Sequence, residues 1–319
     1  MNKEKALSIC DGKCSPRKQN KRETGGIEMK RHQYHDVFMR GTLERITYVT
    51  TNREGEPRDK YANVYLPHGY DAADKEKKYN ILYVMHGGAG NPDSWLDCCK
   101  VKNMLDYAID RGEVQPLIVV FPSYYKEKVP RAGAPDAERE RNNVLLFQNE
   151  LVEELLPAVE SAYHTYAEDV TKEALIASRM HRGISGFSMG GCTTWFAFIN
   201  HLDYFSEFVP LSGDCWAIEV MGGLSKPVET VKVLRESAVK SGYGTDEFFI
   251  RVATGTKDAA SEPLTMQVNE MKKYPEVFVY NDDHTKGNFH FLHEKDEVHS
   301  YESVYQFLYH FLPYLFKSK

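Results

Sequence analysis

Three observations predict an α/β fold with a mostly parallel central sheet and helices on both faces. Short, continuous apolar runs punctuate the chain: "YNILYVMH" (79 to 86), "PLIVVF" (116 to 121), "FSEFVPL" (205 to 211) and "FFIRVATG" (248 to 255). Segments with helical apolar spacing separate them, at about 96 to 111, 145 to 163, 189 to 200, 226 to 240, 261 to 273 and 300 to 316. Apolar runs without polar alternation suit strands buried on both faces, and the intervening helices supply the cover. Ahead of them, "GTLERITYVTT" and "KYANVYLP" alternate apolar with polar residues over strand-length spans, which predicts an antiparallel start to the sheet.

The remaining segments follow from composition. A chain of 319 residues, 42% hydrophobic, can bury a full core, and it reads as one folded domain, 38 to 319, behind a flexible basic N-terminal tail, 1 to 37. Residues 1 to 31 carry nine Lys/Arg against four Asp/Glu, so the net charge of -6 hides an acidic body at -11. Such a surface repels phosphate backbones, which argues against a nucleic-acid partner and for substrates neutral at the reacting end. No run of 18 or more apolar residues is present and the N-terminus lacks the apolar core of a secretory signal, so no membrane partner is expected and a cytoplasmic location is. The six cysteines show no disulfide-framework spacing and read as reduced thiols; Cys10 and Cys14 with His32 and His35 fit no standard zinc pattern. The stretch 123 to 143, "SYYKEKVPRAGAPDAERERNN", is long and polar for a strand-helix connection and reads as an insertion or lid-like loop.

Chemistry enters at "HRGISGFSMGGCTTW", 181 to 195. Ser188 lies in "GFSMG", a G-x-S-x-G pattern with a short strand running in and a helix leaving, which places a serine hydroxyl on a strained turn above a sheet. Small residues at Gly186 and Gly190 let that turn close. Ser185 falls inside the strand and reads as structural. Alone the pentapeptide is weak evidence, but "MHGGAGNPDSW", 85 to 95, follows an early predicted strand, as a loop donating to an oxyanion does. The two main-chain donors are then Met189 and Gly88, with Gly87 as the alternative to Gly88.

An acid and a base must follow Ser188 in the order Ser, acid, His. Asp258, in "FFIRVATGTKDAA", stands beyond the end of a late strand, where catalytic groups gather in open α/β sheets; Asp214, in "LSGDCW", is its competitor. His299 falls in the loop before the final helix. His310 lies inside that helix, and His290 and His293 lie in the strand-like "NFHFLHE", where a structural histidine is expected. His299 is therefore the base, activating Ser188 while Asp258 orients its ring. "HEKDE" is not H-E-x-x-H, so a zincin is excluded, and the chemistry requires no metal or organic cofactor.

At these residues the chain resembles a known group. "SRMHRGISGFSMGGCTTW", "FVPLSGDCW", "ATGTKDAA" and "HSYESVYQFLYHFLPYLF" look like the feruloyl (cinnamoyl) esterase domains often joined to xylanases, within the esterase D-like group of the α/β-hydrolase superfamily. The likeness spans about residues 42 to 316. It implies the α/β-hydrolase fold, Ser188, Asp258 and His299 as nucleophile, acid and base, and Trp216 beside a phenolic ring. It implies a small-molecule or oligosaccharide substrate, the ester of ferulate or p-coumarate with a plant cell-wall sugar. The alternatives are an acetyl-xylan or other short-acyl esterase, a thioesterase like the S-formylglutathione hydrolases, and a non-catalytic carbohydrate-binding shell. The sequence assigns no oligomeric state. The 123 to 143 stretch and Ser300 and Tyr301 after His299 depart from the group's usual pattern.

Overall fold

The computed structural model describes residues 28–51, 55–125 and 136–317. The two alternating N-terminal stretches form β1 (Thr42–Thr51) and β2 (Pro57–Leu66), paired antiparallel from Thr42 opposite Leu66 to Thr51 opposite Pro57. The four continuous apolar runs form β3 (Asn80–Met85), β4 (Leu117–Phe121), β6 (Glu207–Leu211) and β7 (Phe249–Gly255), and the strand-like stretches at 182 and 289 form β5 (Arg182–Phe187) and β8 (Phe289–Glu294). All eight strands join one sheet in the order β1-β2-β4-β3-β5-β6-β7-β8. β2 meets β4 antiparallel, and every later neighbour pair is parallel.

Because side chains alternate along a strand, each central strand feeds two cores. Ile81 and Tyr83 of β3 face one side, with Ile118, Ile184, Phe208, Ile250 and Val252 from its neighbours. Helices α3 (Ala137–Glu150), α4 (Leu156–Ala162), α6 (Met189–Asn200), α8 (Pro227–Ser241) and α9 (Ser261–Met271) cover that face, anchored by residues such as Phe147, Val159, Trp195, Leu234 and Leu264. Leu82 and Val84 face the other side, where α1 (Ser94–Cys98), α2 (Val101–Asp110) and α10 (Tyr301–Phe311) pack through Trp95, Leu105 and Phe307. The short helices α5 (Lys172–Ala177) and α7 (Gly222–Ser225) complete the chain. No helix among the described residues is long and apolar enough to cross a membrane.

Several helix boundaries differ from the sequence reading. The helix expected over 96 to 111 breaks between α1 and α2, at Cys99 and Lys100. The helix expected from 145 begins at Ala137, because the Asp136 carboxylate accepts hydrogen bonds from the Glu138 and Arg139 amides and caps it. The last eight residues of the 123 to 143 stretch are thus cap and helix, and 126 to 135 lie outside the described residues. A π-helical turn, Leu151–Leu155, joins α3 to α4 and keeps Leu151, Leu155 and Leu156 all buried. Polarity hid this helix, since α3 is amphipathic over a short apolar stripe of Val144 and Phe147.

The tail also ends earlier than composition suggests. Lys30 and His32 lie against α10: the Lys30 amide donates to His310 Nδ1 at 2.9 Å, and His32 exchanges two hydrogen bonds with the Gln306 side chain. His32 is buried among Tyr107, Tyr305 and Tyr309, and His35 stacks on Tyr107. Cys10, Cys14 and the rest of 1 to 27 lie outside the described residues. Among the described residues, Cys98, Cys99, Cys192 and Cys215 form no disulfide.

Candidate active site

The site sits where parallel strands end. β5 runs into Ser188 and α6 leaves it, and Ser188 holds φ 57° and ψ -115°, a backbone region that L side chains rarely adopt. A conformation of that kind costs about 1–3 kcal/mol and persists only where its surroundings over-determine it. Here the Ser188 amide donates to the Leu211 carbonyl at 2.9 Å, and the Ser188 carbonyl accepts from the Cys192 amide at 3.0 Å. Close approach also demands glycine on both sides. A Cβ on Gly186 would stand 2.5 Å from the Gly190 carbonyl carbon, and one on Gly190 would stand 2.6 Å from the Met85 carbonyl oxygen.

That second contact brings the end of β3 against the first turn of α6. Gly87, two residues beyond Met85, packs on the Phe187 ring next to the elbow. Its amide donates to the Tyr301 hydroxyl at 3.2 Å. Gly87 is therefore already committed as a donor, which leaves Gly88 as the candidate of the two. Gly88 is exposed, with open space where a side chain would project. Met189 opens α6, so its amide belongs to the helix turn without intrahelical acceptors.

Three side chains from distant parts of the chain meet over the elbow. Ser188 Oγ lies 2.9 Å from His299 Nε2, and His299 Nδ1 lies 2.7 Å from Asp258 Oδ1. A carboxylate only accepts, so Nδ1 carries the ring proton and Nε2 presents its lone pair to the serine hydroxyl. Asp258 is held in turn by the Ala260 amide, which donates to the same Oδ1 at 2.7 Å, and its side chain is fully buried. Phe187 covers one face of the His299 ring at a centroid distance of 4.6 Å.

A family model described as "Putative esterase" matches residues 56–307. The chain belongs to this esterase family. A curated relative, endo-1,4-beta-xylanase Y of Acetivibrio thermocellus, is 41% identical over 277 residues, 86% of this chain and 23% of the relative. A second, an endo-1,4-beta-xylanase/feruloyl esterase of Xylanibacter ruminicola, is 27% identical over 59% of this chain and 24% of its own. The esterase thus spans about a quarter of the length of these relatives. Among solved structures, a mutant of the feruloyl esterase module from Clostridium thermocellum complexed with sinapinate superposes with a TM-score of 0.77 at 35% identity, covering 93% of this chain and 96% of that one. A ferulic acid esterase from Anaeromyces mucronatus in complex with ferulic acid shares the fold at a TM-score of 0.66 and 18% identity, over 93% and 98% of the two chains.

The esterase separates the remaining sequence candidates. Ser185 is buried and donates to the Val209 carbonyl at 2.8 Å, a strand residue as expected. Asp214 is engaged elsewhere: its carboxylate accepts from the Trp216 indole at 2.9 Å and the Gly223 amide at 2.8 Å, and His299 Nδ1 pairs with Asp258 instead. His290 lies in β8 with Nδ1 on the Asn281 carbonyl, His293 meets Ser261, and His310 holds the Lys30 amide. Trp216 packs in a small cluster with Met189, Val144, Phe196 and Tyr125, beside the elbow. Arg141 of α3 fixes that segment by donating to the Trp216 and Ala217 carbonyls at 2.7 and 2.9 Å.

Two groups escaped the sequence reading. Tyr125 lies in the stretch that the sequence presents only as a long polar connection, yet its hydroxyl donates to the buried Glu140 carboxylate and lies 3.9 Å from Met189 Sδ. Burial, then that carboxylate, pushes its phenol well above the ordinary range, so it stays a neutral donor. In sequence Tyr301 is only a departure from the group's usual pattern after the histidine. Its hydroxyl occupies the Gly87 amide, and its ring packs edge-on against Trp95 and Phe187. The doublet "YY" after a buried strand end was the only signal for Tyr125.

Proposed function

We propose that this esterase hydrolyses hydroxycinnamate esters, feruloyl or p-coumaroyl, of plant cell-wall sugars through an acyl-enzyme on Ser188. The observation that carries the reaction class is the hydrogen-bonded series Ser188, His299, Asp258 on a strained elbow. In the proposed sequence His299 Nε2 takes the Ser188 proton as Oγ attacks the ester carbonyl. The Met189 and Gly88 amides receive the negative charge that develops on the carbonyl oxygen. His299, now an imidazolium facing the Asp258 carboxylate, returns the proton to the departing sugar hydroxyl. Water repeats the cycle on the acyl-enzyme and releases the acid.

Support for the acyl group comes from two sides. The relatives named above include a feruloyl esterase module complexed with sinapinate at 35% identity over nearly its whole length. The wall beside Ser188 is built from Tyr125, Met189 and Trp216, whose flat and polarizable surfaces suit an aromatic acid better than an acetyl group. Trp216 is accordingly proposed to contact the phenolic ring. Comparing kcat/KM on methyl ferulate and p-nitrophenyl acetate tests the reading, with ferulate expected to be favoured. A preference for the acetate, or near-normal turnover by folded Ser188→Ala, overturns it.

A further inference from the structure

His86 precedes the two glycines of the oxyanion loop, and its ring is buried beneath them. Its Nδ1 lies 2.6 Å from the Gly87 carbonyl oxygen, and its Nε2 lies 2.8 Å from Ser123 Oγ. The carbonyl can only accept, so Nδ1 carries the proton and Nε2 accepts the Ser123 hydroxyl proton. Ser123 Oγ is free to accept from the Tyr125 amide, which it does at 3.0 Å. Every proton in this chain of contacts is therefore assigned, from the amide of Tyr125 through Ser123 and His86 to the Gly87 carbonyl. Burial depresses His86 to about 4, so the ring is neutral at neutral pH and has one N–H to give.

The Gly87 carbonyl and the Gly88 amide belong to one peptide unit. That unit is planar and trans, so its C=O and N–H point in opposite directions, and fixing one fixes the other. We propose that His86 is a positioning residue: by holding the Gly87 carbonyl from below, it aims the Gly88 N–H at the oxyanion formed above Ser188. A loop flanked by glycines draws little stiffness from its own side chains, so each hydrogen bond to it counts. The Gly90 amide supports the same carbonyl at 3.1 Å, and a Cβ on Gly90 would stand 2.7 Å from His86 Nδ1, so the ring reaches the carbonyl only over a glycine. The inference rests on the proposed esterase reading and adds to it a side chain through which an otherwise main-chain oxyanion site can be mutated.

Asparagine places its amide nitrogen near the histidine Nδ1 position and glutamine places it near Nε2. His86→Asn thus keeps a donor for the Gly87 carbonyl, whereas His86→Gln keeps a group toward Ser123 only. On methyl ferulate, His86→Asn is expected to hold kcat within about fivefold of the native enzyme. His86→Gln is expected to lose about 30-fold or more in kcat with KM little changed, since a transition-state donor is misaimed and substrate binding is not. Gly90→Ala, whose Cβ would crowd both His86 Nδ1 at 2.7 Å and the Gly87 carbonyl oxygen at 2.9 Å, disturbs the same contact from the other side and is expected to lower kcat by about tenfold or more. Equal kcat in the two His86 variants, the reverse order, a loss confined to KM, or full kcat in folded Gly90→Ala overturns the role of His86. Ser188→Ala, assayed alongside, separates the two levels: activity surviving there removes the esterase reading itself, and an inactive Ser188→Ala beside equal His86 variants removes only this inference.

Discussion

Asp258→Asn tests the proposed relay most directly, because it changes one atom and leaves the shape of the side chain. In the native site Asp258 Oδ1 accepts from both His299 Nδ1 and the Ala260 amide, each at 2.7 Å. An asparagine that keeps its oxygen there still orients the ring but loses the charge that stabilises the imidazolium. One that turns its nitrogen there drives the His299 proton to Nε2, where it can no longer accept from Ser188. A unit charge pair at 2.7 Å is worth roughly 6 kcal/mol at an effective dielectric near 20. His299 is 36% exposed, so solvent screening lowers this. About 4 kcal/mol remains, which corresponds to a fall of about a thousandfold in kcat. The assay is single-substrate turnover of methyl ferulate near neutral pH, with thermal unfolding run on the same samples. A folded Asp258→Asn within about tenfold of the native kcat would refute the assignment of Asp258 as the group that stabilises the charged ring.

Three further outcomes follow from the same structure. Ser188→Gly should be more stable than Ser188→Ala by about 1 kcal/mol, because glycine relieves the φ 57° strain that alanine retains; equal unfolding midpoints would remove the strain argument. Arg182→Met should cost about 3–5 kcal/mol in denaturant unfolding, since Arg182 makes a bidentate pair with Glu160 at 2.6 and 2.8 Å and both side chains are buried; a loss under about 1 kcal/mol would contradict this. Burial, followed by His284 and Lys30, lowers His310 from 6.5 to about 3, so its neutral form is the folded one. The stability it contributes is complete above about pH 6.5 and is lost as pH falls toward about 3. His310→Asn keeps an acceptor for the Lys30 amide without titrating, so the loss between pH 7.5 and about pH 5 should shrink by about 2 kcal/mol; an unchanged pH dependence in urea midpoints would refute it.

The sheet was legible because its information is local. Runs such as "LIVVF" need only their own residues to declare a strand buried on both faces, and "GFSMG" needs only its neighbours to declare a turn. Long-range contacts were not legible. Nothing in "KRHQ" says that its backbone lies against Gln306 and His310, some 274 to 280 residues away, so the segment read as a tail. Likewise Asp136 caps α3 and Arg141 binds the Trp216 and Ala217 carbonyls, yet in sequence both are two more charges in a charged stretch. His86 was visible as part of "HGG" but not as a donor, because the partner of its other nitrogen, Ser123, comes from a different strand end.

These contacts divide the site into two parts with different tolerance to change. The reacting centre is assembled from the carboxyl ends of β3, β5 and β7 together with the loop before α10, and its spacing is set by backbone meeting backbone at Gly186 and Gly190. Each of those approaches lies well inside the distance any Cβ could occupy, so the geometry around Ser188 admits little variation. The wall beside it is built differently. Tyr125, Val144 and Trp216 come from the connection after β4, from α3 and from the segment after β6, and no backbone-to-backbone approach like those at the elbow fixes them. Arg141 and Glu140 tie those segments together by hydrogen bonds that other residue pairs could replace. Differences in acyl preference among esterases built this way should therefore fall in residues 124 to 125, 140 to 147, 214 to 217 and the side chain at 189, and not in the glycines and serine of the elbow. Trp216→Ala provides the test: a fall in kcat/KM on methyl ferulate with p-nitrophenyl acetate little affected supports the division, and an equal fall on both esters places Trp216 in the scaffold instead.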